Sequence, residues 1–321
     1  MRLRFRRAPR LATAAALFLA LITLLGFVAS PASLFEMLAQ FRPQLAAASV
    51  VLILAALLAQ RRLAAVIALA AFLANLAPLA PYLNLAAVAR PASGPAFRVL
   101  TLNLHGDPRT AEKFRALVAA QNPDIILLTE LPWSLDAFLG ELAAAYPNQI
   151  VDRRRHSGFD VALFTRWNVK ARNVDRSVSL QVPVLSTELC DPSGEAGSCL
   201  TLIGLHAARP FGLGADVQAA QFALARRLAD AAKTPILLVG DLNMTPWAPS
   251  FHQLVKTLSL SDSAAGHPLT GTWFARNPLL GLPIDHILAG PGIKVLDYHV
   301  GADVGSDHFP VIASLALGAY N

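Results

Sequence analysis

Residues 239–246 read Val-Gly-Asp-Leu-Asn-Met-Thr-Pro, and they end an apolar run that is typical of a strand buried on both faces. Asp241 and Asn243 come directly after that run. Taken alone, Asp-Leu-Asn at this position is most often a turn or a helix cap. A second segment, Gly-Ser-Asp-His-Phe-Pro at residues 305–310, immediately precedes another apolar run. Together the two segments indicate a functional site formed at strand ends, which neither indicates alone.

Further apolar runs alternate with helical segments along the rest of the chain. Residues 110–121 and 216–233 have apolar side chains at helical spacing. The alternation of buried strands with helices predicts one α/β domain over residues 97–321. The runs with strand character are 98–104, 124–129, 161–164, 200–205, 236–239, 284–288 and 311–315.

Acidic, amide and imidazole side chains recur at the ends of these predicted strands. Because ligands in layered α/β domains collect where strands end, we expect these side chains to share one pocket. Oxygen atoms of Asn103, Glu130 and Asp307 suit a hard divalent cation; Mg²⁺ fits this set, with Mn²⁺ as an alternative. Glu130 is the hardest residue to explain otherwise, because an acid after an apolar strand is costly to bury unless it is paired or metal-bound.

The remaining polar residues suit hydrolysis of a phosphate ester. His308 beside Asp285 is a candidate acid–base pair, while Asp241 and Asn243 are placed to position an attacking water molecule. His206 is a candidate hydrogen-bond donor to the phosphate. The sequence contains no serine or cysteine nucleophile motif, which favours direct attack by water over a covalent intermediate. Each residue alone also has a purely structural interpretation, and only the ordered series favours catalysis.

This ordered series resembles the endonuclease/exonuclease/phosphatase superfamily, which has the deoxyribonuclease-I-like fold. The motifs that carry the resemblance are Asp241-Leu-Asn243 and Ser306-Asp307-His308, and the resemblance covers about residues 97–318. It implies a four-layer α/β sandwich in which two mixed β-sheets pack face to face with helices outside. It also implies a Mg²⁺-dependent phosphoesterase site at one rim of the sandwich.

The resemblance gives the polar residues the roles described above, with Glu130 as the principal metal ligand. It leaves open whether Asp241 or His308 is the base, and whether one metal ion or two are bound. The sequence also departs from the common family pattern. Thr129 stands where glutamine is usual, and His105 stands where many nucleases have an aspartate. These departures bear on metal affinity and substrate more than on the capacity for catalysis.

The N-terminal part of the chain differs in composition from the rest. Three charge-free runs at residues 11–35, 45–60 and 63–89 are long enough, or nearly so, to cross a hydrocarbon core of roughly 30 Å. We therefore predict a membrane anchor of about three transmembrane helices over residues 1–88, followed by a proline-rich linker over residues 89–96. The middle run is the shortest, so two spans are the alternative.

Arginine residues set the predicted orientation of this anchor. Five arginines lie among the first ten residues, and Arg61-Arg62 separates the second run from the third. Because positive charge stays in the cytoplasm, three spans place the catalytic domain on the periplasmic or extracytoplasmic side of the inner membrane. Two spans would reverse that side.

Cys190 and Cys199 bracket a turn-forming stretch, which predicts a disulfide made in an oxidising compartment, with two unpaired thiols as the alternative.

The distribution of charge bears on the substrate. Residues 97–321 carry eighteen basic and twenty acidic side chains, so the basic character of the chain belongs to its N-terminal part. A near-neutral domain lacks the surplus positive charge that tight duplex binding needs, although Arg153-Arg154-Arg155 forms a local basic patch. We expect a phosphate-ester substrate at the membrane surface: a lipid head group, a nucleotide or a nucleic acid. The sequence indicates no obligate protein partner.

Two interpretations remain open at this stage. The alternative to an enzyme is a membrane-tethered pseudoenzyme that binds a phosphorylated ligand or a partner protein. The apolar loop segments 210–214, 273–274 and 279–282 either dip into the bilayer or pack in the core, and core packing is the favoured interpretation.

Overall fold

The computed structural model describes residues 8–28, 34–83, 96–105, 110–154, 158–194, 198–277 and 279–318. Its helices are α1 (Ala8–Leu25), α2 (Leu34–Gln40), α3 (Arg42–Leu58), α4 (Arg62–Leu76), α5 (Thr110–Gln121), α6 (Asp136–Ala145), α7 (Leu213–Ala231) and α8 (Pro249–Thr257). Short 3₁₀ helices cover Ala77–Tyr82 and Trp133–Leu135. Its strands are β1 (Ala96–Asn103), β2 (Ile125–Thr129), β3 (Asn148–Asp152), β4 (Val161–Thr165), β5 (Asn168–Val169), β6 (Asn173–Asp175), β7 (Val184–Cys190), β8 (Cys199–His206), β9 (Ile236–Asp241), β10 (Ser261–Asp262), β11 (Asp285–Ala289), β12 (Ile293–Val300) and β13 (Val311–Leu317). The predicted linker, apart from Ala96, lies outside the described residues.

The strands form two mixed sheets. Within the described residues, the first sheet has the order β12-β13-β1-β2-β4-β3, and the second has the order β10-β11-β9-β8-β7-β5, with β6 paired to β7. β1 runs parallel to β2, and β8 runs parallel to β9, whereas β1–β13 and β9–β11 are antiparallel. The predicted strands are confirmed as β1, β2, β4, β8, β9, β11 and β13.

Three apolar clusters hold four layers together. Between the sheets, Val99 and Leu127 of the first sheet share a buried cluster with Leu202 of the second. On the outer face of the first sheet, Phe114 of α5 meets Phe138 of α6 edge to face, with ring centroids 5.6 Å apart. Helices α7 and α8 cover the outer face of the second sheet. Burying each such side chain contributes about 1.5–3 kcal/mol. The predicted four-layer α/β sandwich is therefore confirmed.

The first charge-free N-terminal run, residues 11–35, is divided between helices α1 and α2. α1 ends at Leu25 and α2 begins at Leu34, so a membrane span in this run would consist of α1 and not of the whole of residues 11–35. Gly26 follows α1 directly, and glycine weakens a helix by about 1 kcal/mol relative to alanine. Residues 29–33, which contain Pro31, lie outside the described residues.

The apolar helices differ in their suitability as membrane spans. Among the described residues, Arg62–Tyr82 is the helix that is long and apolar enough to cross a membrane by itself. α2 and α3 would form a second span only if this pair, bent by 72°, is counted as one. The apolar helix Leu11–Leu25 is shorter. The number of spans and the side of the membrane therefore remain predictions.

Helix α2 packs against the α/β domain, although its residues were predicted to lie at a membrane span and the loop after it. The backbone N–H of Thr245 donates to Gln40 Oε1 at 2.7 Å, and Trp247 Nε1 donates to the Gln40 carbonyl at 3.0 Å. The backbone N–H of Ser250 donates to Glu36 Oε1 at 2.9 Å. A buried polar group that lost such a partner would cost about 1–3 kcal/mol. Specific contacts, and not the linker alone, therefore attach the N-terminal helices to the α/β domain.

The two cysteines close a β-hairpin. Cys190 ends β7, Cys199 begins β8, and the two residues are directly opposite each other in the antiparallel pair. A disulfide joins them, which confirms the predicted pairing. In the chain-entropy model, closing so short a loop stabilises the fold by about 2–3 kcal/mol.

Candidate active site

Strand register brings the predicted site residues to one edge of the sandwich. Asn103 ends β1 and Glu130 follows the parallel strand β2, so both leave the first sheet at the same edge. In the second sheet, Asp241 lies between His206 on one side and Asp285 on the other. Asn103 joins the two sets, because its Nδ2 donates to Glu130 Oε1 at 2.9 Å and to Asp241 Oδ2 at 3.0 Å.

Unusual backbone conformations position Asp241, Glu130 and Asn243. Gly240, just before Asp241, has a φ of +136°, and a Cβ atom there would lie 2.0 Å from the Leu205 carbonyl oxygen. Only glycine is compatible with both conditions. Glu130 and Asn243 also have positive φ, at 51° and 49°. Such conformations cost roughly 1–2 kcal/mol for residues with a Cβ, and they are typical of functional sites.

Asp285 and His308 form a buried hydrogen-bonded pair. His308 Nδ1 lies 2.8 Å from Asp285 Oδ2, and the His308 backbone N–H donates to Ser306 Oγ at 3.0 Å. Ser306 Oγ in turn donates to the Asn103 carbonyl at 2.7 Å, which ties this loop to the first sheet. Burial alone would lower the pKa of His308, but the charge of Asp285 and its hydrogen bond, with a contribution from Asp241, raise it to about 9. The imidazole is therefore protonated at neutral pH.

The second histidine has the opposite protonation state. His206 Nε2 lies 3.6 Å from Glu130 Oε1 and 3.5 Å from Asp241 Oδ2. Burial lowers the pKa of His206 to about 4, more than the charge of Glu130 raises it, so its ring is neutral at pH 7. Burial and the charge of Asp285 raise the pKa of Asp241 to about 6. A carboxylate with a pKa near neutrality is suited to accepting and releasing a proton.

Two partly exposed carboxylates face the same space beside this buried group. His105 Nδ1 lies 3.7 Å from Glu130 Oε2 and 3.2 Å from Asp307 Oδ1. Trp273 Nε1 donates to the other oxygen of Asp307 at 3.2 Å. Apart from this contact with His105, Asp307 Oδ1 is buried and has no hydrogen-bond partner within the described part of the chain. Carboxylate oxygens with free lone pairs are the ligands that Mg²⁺ and Mn²⁺ prefer, so these residues fit a divalent metal ion.

A second set of potential metal ligands is more deeply buried than Glu130 and Asp307. Single ligand atoms of Asp241, Asp285 and His308 all lie within 4.8 Å of one another. A protonated His308 has no lone pair for a metal ion, and its Nδ1 is already engaged with Asp285. The carboxylates of Glu130 and Asp307 are therefore the better candidate site for a cation.

The eight predicted residues all lie in or directly beside one cavity of about 320 Å³. Glu130, His206 and Asp307 are among those that line it. Asn103 and Asp285 lie just behind the lining, where they hydrogen-bond to residues that face the cavity. The structure therefore brings together the residues that the sequence predicted, while their individual roles remain predictions.

Asn103 and Asn243 are both engaged in hydrogen bonds with the protein. Asn103 Oδ1 accepts from the His105 backbone N–H at 2.8 Å. The Asn243 backbone N–H donates to Asp241 Oδ1 at 2.8 Å, and its side-chain Nδ2 donates to the Ala207 carbonyl at 2.8 Å. Both asparagines thus hold neighbouring carboxylates in place.

Several residues around the cavity were missed from the sequence or interpreted differently. Met37 and Phe41, from the N-terminal helices, line the cavity, and only the polar residues Glu36 and Gln40 within an apolar region could have indicated this contact. Phe211 lines the cavity and is 66% exposed, so the core packing favoured for its loop is wrong.

The other apolar loop residues differ in exposure, since Leu282 is buried as core packing predicted while others are not. Leu213 is 86% exposed and Leu279 is 77% exposed, so neither packs in a core. In the predicted basic patch, residues 153–155, one arginine is already engaged by neighbouring side chains. The Arg153 guanidinium lies 4.0 Å from the centre of the Trp133 ring and pairs with Asp136, and Arg155 lies outside the described residues.

The chain belongs to the Endonuclease/Exonuclease/phosphatase family, whose model matches residues 100–308, well over half of the chain. Members of this family hydrolyse phosphoester bonds, and they usually use a divalent metal ion. No curated protein matches the chain.

Solved structures show the same fold. A family member from Bacteroides vulgatus is 21% identical, covers 70% of this chain and 99% of its own, and has a TM-score of 0.57. The human Nocturnin catalytic domain with bound sulfate is 14% identical over 70% and 95% of the two chains, with a TM-score of 0.56. The 3′ phosphatase NExo from Neisseria, bound to product DNA hairpin, is 20% identical over 68% and 98%, with a TM-score of 0.53. At these identities the likeness is one of fold.

The pairing of Asp285 with His308 makes a testable prediction about protonation. In Asp285→Asn the raising effect of the carboxylate is lost and burial dominates, so the pKa of His308 should fall from about 9 to below neutral pH. The wild-type imidazolium should persist until the pH rises to about 9, whereas the variant should already be neutral at pH 7. Imidazole NMR of chelator-treated protein measures this titration.

The control for this titration is Asp152→Asn, which removes a carboxylate that pairs with Arg176 at 2.7 Å and lies away from the cavity. It should leave the His308 titration unchanged. An unchanged titration in Asp285→Asn as well would contradict the assigned pair.

Proposed function

We propose that this protein hydrolyses a phosphodiester or phosphomonoester by direct attack of a water molecule, with Mg²⁺ or Mn²⁺ as the metal ion. The observation that supports this most is the hydrogen bonding of Asn103 to both Glu130 and Asp241. It places a candidate metal-binding carboxylate next to a buried acid whose pKa is raised to about 6. Family membership, which makes the chain a phosphoester hydrolase by class, supports the same function.

Glu130 and Asp307 would hold the metal ion, with Asn103 orienting Glu130. When bound, the metal ion supplies positive charge that neutralises the non-bridging oxygens of the phosphate. Because Asn103 already donates to Glu130 and Asp241, its own role is to fix the separation of these two acids. This modifies the direct metal-ligand role predicted for Asn103.

The protonation states assign the proton-transfer roles. Asp241 accepts the proton of the attacking water, because it is largely ionised above its pKa of about 6, and Asn103 and Asn243 hold its two oxygens. His308 is protonated and presents Nε2–H, which lies 3.8 Å from Asp241 Oδ2, to the phosphate. Neutral His206 donates a hydrogen bond through Nε2 to the same phosphate. We thus favour Asp241 over His308 as the base.

We also propose that the N-terminal helices tether the domain to the inner membrane, on its periplasmic or extracytoplasmic side. The apolar helix Arg62–Tyr82 supports a membrane span, and the arginine-rich N-terminus supports a cytoplasmic start. The Cys190–Cys199 disulfide supports an oxidising compartment for the domain.

Activity and its metal dependence test the catalytic proposal. Full-length protein in detergent should hydrolyse bis(4-nitrophenyl) phosphate with Mg²⁺ or Mn²⁺, and a chelator should abolish this. Glu130→Gln and His308→Gln should each lower kcat/KM by about 10²–10⁴-fold, because each removes a charge that acts on the phosphate or its metal ion. The release of nitrophenolate measures all of these rates.

The matched controls change the same residue types away from the cavity. Glu141→Gln removes an exposed carboxylate that pairs with Arg115, and His299→Gln removes an exposed imidazole. Both should retain wild-type rates. Full activity in Glu130→Gln and His308→Gln, or full activity with chelator present, would contradict the proposed site.

Reporter fusions test the proposed topology. A phosphatase reporter that folds only outside the cytoplasm should be active when fused after Asn321 and inactive when fused after Gln60, beside the Arg61-Arg62 pair. The reverse pattern would place the catalytic domain in the cytoplasm. Whole-cell phosphatase assays, with expression checked by immunoblot, measure both fusions.

A further inference from the structure

One wall of the catalytic cavity is supplied by the N-terminal helices. Met37 of α2 and Phe41, at the junction of α2 and α3, line the same cavity as Glu130, Asp241 and His308. A thioether and a phenyl ring thus lie beside the carboxylates and imidazole of the candidate catalytic group. These two residues precede the α/β domain in the chain and lie outside the segment that matches the family model.

This apolar wall is fixed in place. Gln40, between Met37 and Phe41, accepts hydrogen bonds from the Thr245 backbone N–H and from Trp247 Nε1 at 2.7 and 3.0 Å. In the first turn of α3, Gln44 Nε2 donates to the Leu279 carbonyl at 2.9 Å, which attaches the helix to an exposed loop. Because polar contacts hold the wall on both sides, Met37 and Phe41 are part of the cavity as built.

The apolar wall continues from the cavity to the molecular surface. Phe211 lines the cavity and is 66% exposed, and Leu213, two residues further along the chain, is 86% exposed. Exposed apolar side chains that adjoin a binding cavity are typical of contacts with an apolar ligand or a lipid surface.

Arginine and lysine side chains are scarce in the lining of the cavity. Among its described lining residues, Arg209 is the one arginine, and no lysine is present. A nucleic-acid strand needs a series of cationic groups along its phosphates, with aromatic platforms for its bases. Arg153, in the basic patch of the domain, is already stacked on Trp133 and paired with Asp136. The cavity therefore matches one phosphate next to an apolar group better than a series of phosphates.

We propose that the substrate is an amphiphilic phosphate ester, whose phosphate lies at Glu130, Asp241 and His308 and whose alkyl or acyl chain lies against Met37 and Phe41. This inference rests on the proposed phosphoesterase function. α3, which extends from this wall as an apolar helix, would lead the chain of such a substrate toward the bilayer. The N-terminal helices are then a part of the substrate site as well as an anchor.

Three nitrophenyl phosphodiesters test the proposal, because they share one leaving group and differ only in the second ester. These are 4-nitrophenyl ethyl phosphate, 4-nitrophenyl dodecyl phosphate and thymidine 5′-(4-nitrophenyl) phosphate. For full-length protein in detergent micelles with Mg²⁺, kcat/KM should be at least about tenfold higher for the dodecyl ester than for the other two. The preference should come from the apolar wall.

Variants separate the wall from simple partition of the ester into micelles. Met37→Ser and Phe41→Ser should each lower the dodecyl-to-ethyl ratio by about tenfold, and Met37→Leu and Phe41→Leu should restore it. Leu180→Ser replaces another exposed apolar residue, one that does not line the cavity, and should leave the ratio at its wild-type value. Micelle partition affects all variants equally, so only loss of the wall lowers the ratio selectively.

The outcomes distinguish this inference from the function on which it rests. Hydrolysis of the ethyl ester with a dodecyl-to-ethyl ratio near one, or a ratio that the serine variants leave unchanged, would overturn the inference and leave the phosphoesterase intact. Preference for the thymidine ester would overturn it in favour of a nucleotide substrate. If none of the esters is hydrolysed, the proposed function and the inference fail together.

Discussion

The Asn103 side-chain amide forms hydrogen bonds with acids from both sheets of the sandwich. Its Nδ2 donates to Glu130 at the end of the first sheet and to Asp241 at the end of the second, at 2.9 and 3.0 Å. Two carboxylates this close repel each other, and a shared donor lowers that cost. The same bridge holds the candidate metal ligand next to the candidate base. The face-to-face packing of the sheets thus fixes the geometry of the chemistry.

The pKa values of neighbouring buried groups differ because the charged groups beside them differ. His308 is buried but touches Asp285 at 2.8 Å, and its pKa rises to about 9. His206 is as deeply buried without so close a carboxylate, and its pKa falls to about 4. Asp241, between the two imidazoles, is raised to about 6. One small cavity therefore contains a cationic donor, a neutral donor and a base.

Much of this arrangement could be predicted from the sequence, because strands buried on both faces give continuous apolar runs and polar residues at their ends stand out. Strands such as β3 and β12 were missed because they lie at a sheet edge, where polar and apolar residues mix. The choice between Asp241 and His308 as base needed distances and burial that no pattern contains. The wall formed by Met37 and Phe41 could not be predicted, because an apolar helix has the same sequence pattern whether it lies in a membrane or packs against a protein.

A divalent metal ion bound by Glu130 and Asp307, at the edge where the sheets meet, is central to the proposed chemistry. Crystals of the full-length protein soaked in MnCl₂ and measured at the manganese absorption edge test this most directly. We expect an anomalous peak about 2.0–2.5 Å from carboxylate oxygens of both residues. Manganese bound elsewhere, with no peak between these two carboxylates, would contradict it.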